Sequence, residues 1–188
     1  MAVHGDRQAI RLKIIAGVLI ALCLLAALPG APAWAAAEDE EAGEAGAGGV
    51  TGLPLPRFVT LSSGKINMRV GPGSRYPIDW VYTRRGMPVE IIAEYELWRK
   101  VRDVGGTEGW VLKHMVSSKR GAIVTVAVAT LRREPDDTAP PVLYAKKGVQ
   151  GQLHECKKEW CELIVDGSKG WLRKSSLWGT YPNEIFKD

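Results

Sequence analysis

Arginines and aromatic rings crowd one short stretch of this 188-residue chain: Arg69, Arg75, Tyr76, Trp80, Tyr82, Arg84 and Arg85. A guanidinium fork pairs with a carboxylate through two parallel hydrogen bonds. Rings on a concave patch can stack on sugars or grip a peptide chain. We therefore take Arg69, Arg75, Tyr76, Trp80, Tyr82 and Arg84 as candidate ligand-binding residues. Two readings of Arg69 stand side by side. It contacts a peptide carboxylate, or it makes a structural hydrogen bond that holds the loop after it. For the rings, the alternative to an exposed surface is partial burial in the loop or against a neighbouring domain.

Other reactive residues do not assemble into a catalytic set. Cys23 lies in an apolar stretch near the N-terminus, which leaves Cys156 and Cys161 for the body of the protein. Two cysteines in an exported chain point to a disulfide. The spacing also fits half of a metal site, but no second pair exists, and His154 and Glu155 are too few and too local to close one. His114 and His154 have no evident partner. Asp136-Asp137 sits beside prolines and reads as a turn. Gly71-x-Gly73 is too short for a phosphate loop and opens no helix. The expectation is a protein that is not an enzyme and carries no cofactor and no metal.

Three regions position these residues. Residues 1–35 have the layout of a secretory signal. Arg7, Arg11 and Lys13 precede the apolar run Ile14–Leu28, which is short for a membrane span of ~20 residues. Ala33-Trp34-Ala35 offers a peptidase site, with cleavage after Ala35, Ala36 or Ala37. The chain is thus expected in the periplasm or otherwise exported, touching the membrane only through this segment before cleavage, and export disfavours a nucleic-acid partner. Residues 36–56 are rich in Ala, Gly and Glu and read as a disordered acidic linker. From Arg57 onward 22 Lys/Arg face 15 Asp/Glu, with most of the excess before residue 121. A basic face attracts anionic polymers or acidic partners, or is a solvated surface.

The region from Arg57 repeats itself. Ile66-Asn67-Met68-Arg69 with Pro72 recurs as Ala129-Thr130-Leu131-Arg132 with Pro135, 63 residues on. Trp98 and Val101 recur as Trp160 and Leu163, 62 on. Gly109-Trp110-Val111 recurs as Gly170-Trp171-Leu172, 61 on. Each copy reads as short strands bounded by glycine turns, without helical periodicity, which suggests a small barrel. Trp110 and Trp171 are expected to pack against the fold. Cys156 and Cys161 map onto Glu94 and Arg99, so the same two positions are expected to approach each other in both copies. The apolar, β-prone Arg120–Val126 favours one rigid unit over a flexible join.

Asn67-Met68-Arg69-Val70-Gly71-Pro72-Gly73-Ser74-Arg75-Tyr76-Pro77 resembles the N-x-R-x-G-P-x-x-x-Y-P signature of bacterial SH3 domains. Trp98–Val101 and Gly109-Trp110-Val111 resemble their later W-x-x-V and G-W-V motifs. The ending Trp178-Gly179-Thr180-Tyr181-Pro182 is similar to that of exported proteins with two such domains. The resemblance covers roughly residues 57–182. It implies an all-β fold of two tandem SH3-like barrels, residues 57–120 and 121–188. It also implies binding of peptidoglycan or its peptide, here through the first domain, or else an assembly role with an envelope protein. The second copy departs from the signature, with Arg133-Glu134-Pro135-Asp136-Asp137 and Pro140-Pro141 in place of the glycines and Tyr-Pro. If the signature loop shapes a groove, that copy is expected to have lost much of it.

Overall fold

A computed structural model describes residues 49–187. The secretory segment 1–35 and residues 36–48 of the expected linker lie outside the described residues, as does Cys23. Among the described residues no helix is long and apolar enough to cross a membrane.

The first lobe is built from β1 (Arg57–Leu61), β2 (Ile66–Arg69), β3 (Ile78–Tyr82), β4 (Pro88–Tyr95), β5 (Trp98–Arg102), β6 (Glu108–Leu112) and β7 (Val116–Ser117). The second repeats the plan with β8 (Gly121–Val124), β9 (Val128–Arg132), β10 (Pro141–Lys146), β11 (Gln150–Cys156), β12 (Trp160–Val165), β13 (Ser168–Arg173) and β14 (Leu177–Trp178). It adds β15 (Phe186–Lys187), which pairs with β11. Both sheets are antiparallel and run in the same order, β3-β2-β6-β5-β4-β1-β7 and β10-β9-β13-β12-β11-β8-β14. The expected all-β class and two-copy plan hold. Closed barrels do not: β3 pairs only with β2 and β7 only with β1, so each hydrogen-bonded path stays open at its ends.

Period-2 alternation selects the face each strand buries. In β2, Ile66 and Met68 are buried while Asn67 and Arg69 face out. In β9 the equivalent Ala129 and Leu131 are buried. Leu61, Ile66, Met68, Val89, Ile91, Val101 and Val111 fill the first core. Leu131, Leu153, Leu163 and Leu172 lead the second. The glycine of each Gly-Trp motif is needed for this packing. A Cβ on Gly109 would lie 2.5 Å from the Met68 side chain, and one on Gly170 would lie 2.7 Å from Leu131. Here β6 and β13 cross β2 and β9 too closely for any side chain.

The segment read as the end of a disordered linker is tied down from Gly49. Thr51 donates to the Glu94 carboxylate from its backbone N–H at 2.8 Å and its hydroxyl at 2.9 Å. Leu55 packs on the first core. The polar composition that argued for disorder missed a buried acidic acceptor in β4.

The lobes share a contact made largely by the C-terminal Trp-Gly-x-Tyr-Pro tail. Phe58 of β1 meets Trp178 edge-on at 5.0 Å and Tyr181 at 4.8 Å. The Tyr181 hydroxyl donates to Glu90 at 2.8 Å. Arg120 lies near both Phe58 and Phe186 and holds Glu184 and the Gly179 carbonyl. Within Arg120–Val126, β8 is wholly buried and enters the second sheet at once.

Candidate functional site

The Arg-Gly-Pro-Gly-Tyr loop is held by its own arginine. Arg69 Nη1 donates to the Tyr76 carbonyl at 2.5 Å. Backbone bonds from Gly73 to Gly71, Tyr76 to Gly73 and Val70 to Pro77 complete the turn. The Tyr76 ring folds back over Gly71, where a Cβ would come within 2.5 Å of it. Arg75 is exposed and sits 5.5 Å from the centre of that ring. So the structural reading of Arg69 is realised, and its other N–H groups have no protein partner among the described residues.

The second copy keeps the same loop without the signature. Arg132 Nη1 donates to the Ala139 carbonyl at 2.7 Å. Asp136 N–H bonds Glu134, Ala139 bonds Asp136 and Arg133 bonds Pro140, each 63 residues on from its counterpart. The Asp136 carboxylate, accepting from Thr138 N–H and hydroxyl at 2.6 Å, does locally what the glycines do in the first copy. The expected loss of the loop is therefore corrected. What has gone is the ring, since Ala139 stands where Tyr76 does.

Arg69 lines a groove of about 240 Å³ with Lys65, Asn67, Trp98, Leu112 and Met115. The floor is apolar, two cations flank it, and no acid lines it. Neither Lys65 nor Arg69 makes a salt bridge among the described residues. The same positions in the second lobe line a groove of about 160 Å³ that includes Arg132, Trp160 and Arg173. There Arg173 replaces Leu112. Its guanidinium lies 4.6 Å from the Trp160 ring centre and is gripped by Asp137 and Glu159. The arginine holds the Asp137 carboxyl below the usual range against the opposing effect of burial. The first groove is open and positive, and the second carries its own counter-charges.

The remaining candidates belong to a different hollow. Trp80, Tyr82 and Arg84 line a depression of about 220 Å³ with Met87 and Asp103. Trp80 is 54% exposed and Arg84 is exposed. Tyr82 corrects the expectation of an exposed ring, for it is 3% exposed and part of the core. Its hydroxyl reaches Asp103 at 3.3 Å, and burial, then the Asp103 charge, push its pKa well up. The period-2 alternation of β3 fails because β3 is an edge strand, leaving Ile78, Trp80 and Val81 all exposed. The six candidates thus divide among a loop, a groove and a separate hollow. Lys65, Asn67, Trp98, Leu112 and Met115 were not among them. Asn67 shares the outward side of β2 with Arg69, and Lys65 precedes it at the same two-residue spacing, so that alternation was the available signal.

Cys156 and Cys161 form the disulfide, across a Cα–Cα distance of 4.1 Å. As expected, their counterparts meet: Glu94 and Arg99 pair directly in β4 and β5, with Nε to Oε1 at 3.1 Å. Trp171 is buried, and Trp110 is half-buried. Among the described residues no cluster of three or more His, Cys, Asp or Glu could hold a metal.

A family model described as bacterial SH3 domain matches the chain twice, over residues 62–118 and 125–179. No curated protein matches. Among solved structures, the chain is similar to NlpC1 from Trichomonas vaginalis at 15% identity, covering 66% of this chain and 46% of that one, with a TM-score of 0.32. NlpC2 from the same organism matches at 14% identity, covering 67% and 49%, with a TM-score of 0.31. An NlpC/P60 family protein from Bacillus cereus matches at 13% identity, covering 64% and 55%, with a TM-score of 0.31. The chain spans about half the length of these structures.

Proposed function

The chain belongs to the bacterial SH3 domain family, with two copies in tandem, and from that footing we propose that it is an exported, non-catalytic binding protein that takes up peptidoglycan through the peptide, in the groove of the first lobe. One observation carries this reading: that groove is open and lined by Lys65 and Arg69 over Trp98, Leu112 and Met115. A peptide carboxylate would lie between the cations, with its apolar side chains on the floor. The second lobe's groove is crossed by Arg173 with Asp137 and Glu159 already in place. Binding is therefore assigned to one lobe. Trp80 and Arg84 lie in the separate hollow and are not needed for this contact.

Sedimentation of the purified protein with cell-wall sacculi tests this. The protein should pellet at low salt and be released as salt rises. Lys65→Glu, an exposed change with no role in the fold, should weaken binding roughly tenfold. Protein that stays in the supernatant at low salt would rule the reading out.

A second reading is favoured by the exposed apolar edge of β3, formed by Ile78, Trp80 and Val81. On it, the two joined lobes present a rigid face to an envelope protein and the chain is an assembly factor. It predicts a stoichiometric complex in envelope extracts that Trp80→Ala dissolves while Lys65→Glu does not.

A further inference from the structure

A cavity of about 450 Å³ lies apart from both grooves. It opens in the second lobe between the Lys158–Glu159 turn and the C-terminal tail, and its volume falls in the range of small-molecule sites, roughly 300–1,000 Å³. Leu177 and Pro182 make the apolar part of its lining, Lys158 and Lys174 bring positive charge, and Arg173 lines it already paired with Asp137 and Glu159. Glu159 is the one acid on the wall, and it is engaged by Arg173.

The two lysines are differently situated, and neither makes a salt bridge among the described residues. Lys174 is 8% exposed. Its ammonium donates to the backbone carbonyls of Pro182, at 3.1 Å, and Glu184. Those carbonyls supply dipoles and no net charge. The Glu184 carboxylate nearby is held by Arg120, Thr180 and the Tyr181 N–H. Burial pulls the Lys174 pKa down, against the pull of that carboxylate, so a buried cation is kept at some cost. Lys158 is exposed and makes no salt bridge among the described residues. Lys158 and Lys174 both line the cavity, so an anion bound there would have two cationic neighbours.

The first lobe differs at the matching positions. By the repeat, Lys158 corresponds to Glu96, Arg173 to Leu112 and Lys174 to the exposed Lys113. The wall made by Thr180 and Pro182 exists because the chain folds back at its end, where the first lobe's chain instead runs on into β8.

We propose that this cavity is a second binding site, for a small organic carboxylate on a short apolar body, the chemistry of a peptide C-terminus or a short-chain acid. It stands independently of the first-lobe groove. The test is an NMR titration of the purified, 15N-labelled protein with acetyl-alanyl-alanine, with the same peptide amidated at its C-terminus, and with butyrate. The carboxylate peptide should shift the amides of Lys174, Ser175, Leu177 and Thr180 saturably in the millimolar range, and the amidated peptide should not. Butyrate binding as tightly as the peptide marks a short-chain acid as the source, and weaker binding marks the peptide end. Lys158→Ala, on the exposed rim, should weaken binding roughly tenfold, and Lys174→Met should do the same if it folds. No shift at these amides, equal shifts with the amidated peptide, or unchanged binding in Lys158→Ala would each overturn the site. Because the readout is confined to second-lobe amides, its failure leaves the first-lobe reading untouched.

Discussion

Glu94 shows how one side chain can stand for a covalent bond. It accepts hydrogen bonds from Arg57 and Thr51 and forms an ion pair with Arg99, where the second lobe has a disulfide. Burial alone would raise its pKa, but the Arg57 and Thr51 hydrogen bonds outweigh it and hold the carboxyl below the usual glutamate range. Glu184 is lowered in the same way, by Arg120, Tyr181 and Thr180 against burial. A depressed carboxyl stabilises the fold fully above the ordinary value, about 4.3, and loses that contribution as pH falls through the folded-state value. Thermal melts between pH 7 and pH 3 should therefore fall on the acid side. Glu94→Gln should be less stable at pH 7 and should lose less on acidification. An unchanged acid slope in that variant would remove Glu94 from the account. The approach of Glu94 and Arg99 was legible in the sequence because a 62-residue repeat places them on the cysteine positions. The burial of Tyr82 was not, since its exposed neighbours Trp80 and Val81 obey no alternation from which to infer it.

At the level of elements, the hairpin of β11 and β12 carries the second lobe's closing device. Cys156 pairs with Cys161 across the strands and with Phe186 of β15, and the Thr180 hydroxyl lies 3.9 Å from the Cys156 sulfur. The disulfide thus sits beneath the tail as well as inside the hairpin. A bridge closing so short a ring contributes about 2 kcal/mol by chain entropy. The double variant Cys156→Ser/Cys161→Ser should lose about that much in denaturant unfolding, and hydrogen exchange should quicken in 180–187 as well as in β11. Protection of the tail left intact would show that the two are independent. The signature loops teach a related lesson. The turn looked lost in the second copy because its glycines and tyrosine were gone. Its backbone bonds persist, since the arginine-to-carbonyl bond and an Asp136 side chain supply what glycine supplied.

For the whole molecule, Phe58, Trp178, Tyr181 and Arg120 join the two lobes around Glu90, a carboxylate 6% exposed. Tyr181→Phe leaves that carboxylate one donor short and should cost about 1–2 kcal/mol. Phe58→Ala, which opens the ring cluster, should cost about 3 kcal/mol. Both should lower the single unfolding transition or split it in two. A single transition of unchanged midpoint in both variants would show that the lobes are not energetically coupled. Strand class, copy number and the disulfide were readable from residue order alone, because alternation, glycine turns and repeat spacing are local patterns. The open sheets, the plugged groove, the tail cavity and the anchoring of Thr51 required the folded chain. Arg173 meets Asp137 across 36 positions and Thr51 meets Glu94 across 43, while Lys174 reaches the Pro182 carbonyl because the tail folds back within 8, and no local pattern encodes which partner each will find.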